Sequence, residues 1–153
     1  MAKKSLVITL RLEGAREVLA AFRAMPKDAS TELRAASLRL AQSLAVKVAA
    51  AGRAEGRQAA LLAKTVKAKR DRVPVIEVGG TRRLGSNKKP AFKLLFGSEF
   101  GASQTGRYGL RQFKPHLGRG SYWIFKTVGD NQAEISREWN EAADEVVRKF
   151  GDG

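Results

Sequence analysis

Of the residue types that carry acid–base, nucleophilic or metal chemistry, this chain holds one histidine, His116, no cysteine, and a run of glutamates near its C-terminus. A zinc site at His116 would need carboxylates, yet Glu99 is the only acid between Leu94 and Gly129. Glu134, Glu138, Glu141 and Glu145 step by three or four residues, which lines them along one face of a helix. Such a row describes a solvated or subunit-contacting face. Two-metal nuclease sites draw their carboxylates from separate elements. Gly118-x-Gly120 lacks the rest of a dinucleotide fingerprint, and Gly85-Ser86-Asn87-Lys88 lacks the spacing of a phosphate-binding P-loop. Ser98, Ser103 and Ser121 have no nucleophile-elbow context. The expectation is a protein without enzymatic activity, metal or cofactor.

The chemistry that remains is electrostatic. The formal net charge is +14, and it is unevenly spread. Residues 53–93 carry 12 basic and 3 acidic groups, net +9, whereas residues 129–153 carry 3 basic and 7 acidic groups, net −4. Arg82, Arg83, Lys88 and Lys89 share one turn-rich stretch, and Lys67, Lys69, Arg70 and Arg72 share a neighbouring one. Cations clustered without a base-reading motif suit weak, salt-sensitive, sequence-independent contact with a phosphate backbone. The alternative is a solvated hairpin tip. Phe92, Phe96 and Phe100 read as core, so no single-strand stacking platform is expected. A basic middle and an acidic end also suit head-to-tail pairing, which closes into a ring if the rotation allows.

Elements must position these groups. At 153 residues, 43% hydrophobic and 29% charged, the chain fits one soluble domain spanning 1–153. The apolar run of Leu6, Val7, Ile8 and Leu10 is too short for a signal-peptide core or a membrane span, so an intracellular, membrane-free protein is expected. Leu6, Ile8, Leu10 and Leu12 alternate with Val7, Thr9 and Arg11, predicting a half-buried strand. Val18, Leu19, Phe22 and Met25 predict a short helix closed by Pro26. Leu33, Ala36, Leu40, Leu44 and Val48 predict a long helix over about 27–51, followed by a weaker helical piece through Leu61 and Leu62. Val66–Arg70 and Val73–Val78 read as two strands joined by a tight turn, with Pro74 near the start of the second.

Two extended loops are expected, at about 79–91 and 102–120, with Phe92–Phe96 between them as a strand. The second loop carries Arg107, Arg111, Lys114 and Arg119, with Tyr108, Leu110, Phe113 and Leu117 as apolar points. Asn131 and Glu134 fit a capping box opening a final helix, in which Ile135, Trp139, Ala142, Val146 and Phe150 form the buried stripe and Gly151 the stop. Trp123 and Phe125 read as core anchors, while Tyr122, with its polar tip, suits an interface. The order predicts an α+β fold: a small, mainly antiparallel sheet packed by the long helix and a C-terminal amphipathic helix.

Phe96-Gly97-Ser98-Glu99-Phe100-Gly101 and Gly120-Ser121-Tyr122-Trp123-Ile124-Phe125, in this order of elements, resemble the head–tail joining (neck or tail-completion) proteins of long-tailed bacteriophages, the siphophages. In that resemblance Phe92–Gly101 matches the family's strand and glycine turn, and Tyr122–Val128 the segment leading into the final helix. It implies a structural virion protein without catalytic activity, assembled in the host cytoplasm into a ring, usually hexameric. Its partners would be head stopper or connector proteins on one side and tail terminator or tail tube proteins on the other, with genomic DNA passing through. The subunit interface would draw on Arg107, Tyr108, Arg111, Phe113, Arg119, Tyr122, Glu134, Glu138, Glu141 and Glu145. The alternatives are the tail terminator ring itself or a non-specific nucleic-acid-binding accessory protein.

Overall fold

The computed structural model describes residues 5–100 and 122–151. The first strand, β1 (Ser5–Thr9), is followed by α1 (Ala15–Arg23), entered through Gly14 in the left-handed region at φ 71°. The long helix α2 (Lys27–Glu55) follows Pro26, whose fixed φ suits a helix entrance. It runs 29 residues, about 43 Å at 1.5 Å per residue. Leu33, Ala36, Leu44 and Val48 of the expected stripe are buried, and Leu40 packs partly buried beside them. The weaker helical piece is a separate helix, α3 (Arg57–Ala63).

The period then changes as the sequence predicts. β2 (Lys67–Lys69) and β3 (Val75–Gly79) pair antiparallel, and β1 pairs antiparallel along the other side of β3, giving the order β1-β3-β2. Directly opposed residues share a sheet face. Ile8, Ile76 and Ala68 therefore lie on one side, and Val7, Glu77 and Lys67 on the other. The α2 helix lies against β2 and β3.

The stretch 79–91 is not the simple loop expected from its turn residues. It contains a small hairpin, β4 (Arg83–Leu84) and β5 (Lys89–Pro90), with Arg83 opposite Pro90 and Leu84 opposite Lys89. Strands of two residues are too short for alternation to register. Leu84 turns inward and is buried, which fixes the hairpin to the body.

The largest correction concerns Phe92–Phe96, expected as a strand. It belongs to a helix, α4 (Ala91–Phe100), and so do the described residues, 92–100, of the part of the family resemblance read as strand and glycine turn. Ala91, Leu94, Leu95, Ser98 and Glu99 are buried, a spacing of three and four that only a helix brings to one face. Five consecutive apolar-rich residues look alike in either period. The polar members of the buried face, Ser98 and Glu99, hid the helical one.

The final helix, α5 (Trp123–Gly151), starts eight residues before the expected capping box. Asn131 lies inside it and donates through Nδ2 to the Thr127 carbonyl at 2.8 Å. Ile135, Trp139 and Val146 are buried as expected, Ala142 and Phe150 partly, and Ala143 fully. α5 runs antiparallel to α2: Trp123 lies against Gly52, Lys47 Nζ donates to Asn131 at 3.0 Å, and Lys149 pairs with Glu32. Leu33, Leu44, Leu62, Ile76, Leu95, Ile124 and Trp139 belong to one continuous core, so the architecture is α+β. No helix of the described residues is long and apolar enough to cross a membrane.

Candidate functional site

Two places concentrate polar chemistry. The first is buried, where the end of α4 meets the start of α5. The first turn of a helix leaves backbone N–H groups without intrahelical partners, and a local side chain usually caps them. Here the cap comes from another helix. Glu99 is fully buried, and its two carboxylate oxygens accept the Ile124 N–H at 2.9 and 3.0 Å. The Tyr122 N–H donates to the Glu99 carbonyl at 3.0 Å, and Trp123 Nε1–H donates to Ser98 Oγ at 3.0 Å. Tyr122 takes a left-handed φ of 54° to make the entry.

Burial pushes the Glu99 carboxyl up to about 7, because a charge removed from water favours its neutral form. The Ile124 and Phe125 backbone N–H groups oppose that rise, Glu55 adds to it and Lys126 subtracts. Beside this clasp Trp123 packs directly on Gly52, where an added Cβ would sit 2.8 Å from its ring and 3.0 Å from the Ala59 carbonyl. The core status of Trp123 holds, but Phe125 is 42% exposed. Helical rotation of 100° per residue sends Trp123 and Ile124 inward and Phe125 out. Tyr122 is also exposed, so the two aromatics flank one turn on the surface.

The second place is the exposed side of the sheet and the hairpin. Gly79 N–H donates to Thr65 Oγ1 at 2.9 Å, which seats the root of the hairpin beside the start of β2. Arg82 Nη1 reaches the Lys64 carbonyl at 3.4 Å and Arg83 Nη1 the Lys88 carbonyl at 2.9 Å. Lys67 and Lys69 lie 4.0 and 3.6 Å from Glu77, whose carboxyl is held below its ordinary value first by the Ser5 hydroxyl and then by these two lysines. These bonds set the hairpin that carries Arg82, Arg83, Lys88 and Lys89 beside the segment that leads into β2, which carries Lys67 and Lys69. Arg70 is exposed beyond the end of β2. Arg72 is half-buried, and its carbonyl accepts from Ser37 Oγ at 2.7 Å and from Trp139 Nε1 at 3.0 Å. Its backbone serves the core.

Glu134, Glu141 and Glu145 are exposed along α5 and Glu138 is half-buried. Glu141 pairs with Arg137 four residues earlier at 3.1 Å. Arg107, Tyr108, Arg111, Phe113 and Arg119, with His116 and the expected loop at 102–120, lie outside the described residues. Among the described residues, no group of three His, Cys, Asp or Glu side chains could hold a metal ion.

Sequence reasoning missed Glu99 as a cap and Ser98 as a partner for Trp123. Capping rules search three or four residues away, and this cap lies 25 residues from the N–H it serves. The available signal was an isolated acid in an otherwise apolar run. No family model, curated protein or solved structure matches the chain.

Proposed function

We propose that this chain is a structural protein of the siphophage head–tail interface, a neck or tail-completion subunit that joins other copies in a ring through which DNA passes. The observation that carries this reading is the clasp. The two segments that resemble the head–tail joining proteins, Phe96–Gly101 and Gly120–Phe125, lie far apart in the chain, and their described residues meet through Ser98, Glu99, Tyr122, Trp123 and Ile124. A shared motif pair whose members contact each other is what a common structural element requires.

The charge distribution is also compatible with it. The acidic row on α5 and the basic residues of β2 and the hairpin belong to different elements, and opposed charge on one subunit suits a repeating head-to-tail contact. Exposed Tyr122 and Phe125 supply the apolar anchor that such a contact needs at its centre.

Electron microscopy of particles made with this gene alone disrupted tests the reading. Filled heads beside separate tails of normal length are expected. Abnormally long tails would move the assignment to the terminator ring. Intact, joined virions would remove the head–tail reading altogether.

A further inference from the structure

We infer that the face built by β2 and the β4–β5 hairpin is a sequence-independent contact for the phosphate backbone of duplex DNA. The inference rests on the head–tail reading only for the source of that duplex, the packaged genome. The argument for the surface itself is local.

Six cations, Lys67, Lys69, Arg82, Arg83, Lys88 and Lys89, sit on β2 and the hairpin, and the Gly79–Thr65 and Arg82–Lys64 hydrogen bonds tie the hairpin root to the residues just before β2. No Asp or Glu occurs between Glu77 and Glu99 in the sequence. Glu77 is occupied by Ser5 and the two β2 lysines. Among the described residues the four hairpin cations have no acidic partner. Arg82 and Arg83 each commit one guanidinium nitrogen to a backbone carbonyl, which fixes the side chain and leaves its other donors outward. A pre-ordered arginine loses less freedom on meeting a phosphate.

Lys88 adds a second sign. It occupies the left-handed region at φ 49°, where glycine or asparagine is easily accommodated and a lysine is strained. The turn thus carries a charge in place of a relaxed backbone.

Composition separates DNA from the other polyanions. The exposed large hydrophobic side chains among the described residues are Val46, Tyr122, Phe125 and Val147, none of them on this face. Without an aromatic or apolar anchor it lacks the centre of a protein interface. Segments 64–69 and 79–90 contain no aromatic residue, so bases have nothing to stack on and single strands gain little. What remains is point-charge contact with a regular array of phosphates.

Fluorescence anisotropy with a short labelled duplex, titrated with salt on the purified full chain, tests this. The wild type should bind at about 50 mM salt and release steeply toward about 200 mM, with equal affinity for unrelated sequences. Replacing Arg82, Arg83, Lys88 and Lys89 by alanine should reduce the slope of log K against log salt by about 3 to 4, at about 0.9 per phosphate. A matched control replaces Arg16, Arg23, Lys27 and Arg34, exposed on α1 and α2, and removes the same charge. It should leave most of the slope. Arg82→Gln with Lys88→Gln, which keeps polar side chains on the hairpin, should give about half the effect and guards against loss of the hairpin fold.

Equal losses in the hairpin and control variants would overturn the inference in favour of net charge alone. Absence of wild-type binding at the lowest salt would overturn it too. So would loss of self-association in the hairpin variant without any wild-type DNA binding, which would make the face a subunit contact. These outcomes are read on the isolated chain, whereas the head–tail reading stands or falls on the particles. Each can fail while the other holds.

Discussion

The clasp and the basic face solve opposite problems with the same kinds of groups. In the clasp, Glu99 and the Trp123 indole nitrogen are cut off from water, and each has a hydrogen-bond partner in the protein. On the basic face, Arg82, Arg83 and Lys88 sit in water and Lys89 is half-buried, and none has an acidic partner among the described residues. A buried polar group must be satisfied internally or it destabilises the fold by about 1–3 kcal/mol, so its partners reveal a structural duty. An exposed, unpaired charge contributes almost nothing to folding and is therefore available for an external partner. The difference teaches where to look for function: in this chain the most ordered chemistry holds the fold, and the least engaged chemistry faces outward.

The strongest way to break this contrast is to empty the clasp. Trp123→Ala removes a buried aromatic and should cost about 3–5 kcal/mol, read by chemical denaturation. A loss below about 1 kcal/mol would mean that α4 and α5 are held elsewhere.

The pH profile comes next. A carboxyl whose value is raised in the folded chain holds its proton more tightly there than in the unfolded chain. The contribution of Glu99 is therefore greatest below its ordinary 4.5 and is lost as pH rises through about 7. Stability should fall between these two limits by an amount on the order of a few kcal/mol, read as a falling melting temperature. Glu99→Gln, which cannot ionise, should flatten that window. Glu77 acts in the opposite sense: its lowered value gives stability that is present above 4.5 and lost below it. An unchanged slope in Glu99→Gln would show that the clasp does not set it.

Gly52→Ala is a smaller perturbation. The new methyl meets the Trp123 ring and a backbone carbonyl, neither of which can easily withdraw, and the cost should be about 1–3 kcal/mol. At the bottom of the scale, Lys67→Ala with Lys69→Ala should change stability by less than about 1 kcal/mol, because both side chains are exposed and their pairing with Glu77 is screened. A larger loss would move the lysines into the structural class and erase the contrast.

The legible parts of this fold were those whose periods run long enough to declare themselves. β1 alternates, α2 repeats its stripe over many turns, and the β2–β3 pair is bounded by turn chemistry at Asp71–Pro74. Ile135, Trp139 and Val146 marked the inner face of α5. The illegible parts depended on contacts between distant residues. The start of α5 is set by a glutamate on another helix, and a local capping signal at Asn131 pointed to the wrong place. The helix α4 buries Ser98 and Glu99, polar residues that a hydrophobic count assigns to the outside. The basic face was partly legible, because its charges cluster in two short stretches of sequence, but the Thr65 and Lys64 contacts that tie the hairpin to the residues before β2 could only be seen in three dimensions.

The clasp has a consequence for how this chain tolerates change. By tying Ser98 and Glu99 to Tyr122, Trp123 and Ile124, it makes two stretches some 25 residues apart in sequence depend on each other. A substitution in either stretch leaves a buried polar atom of the other without its partner, at about 1–3 kcal/mol. The clasp thus binds the two stretches into one unit of substitution, in which a change at Ser98 or Glu99 calls for a matching change at Trp123 or in the turn that opens α5.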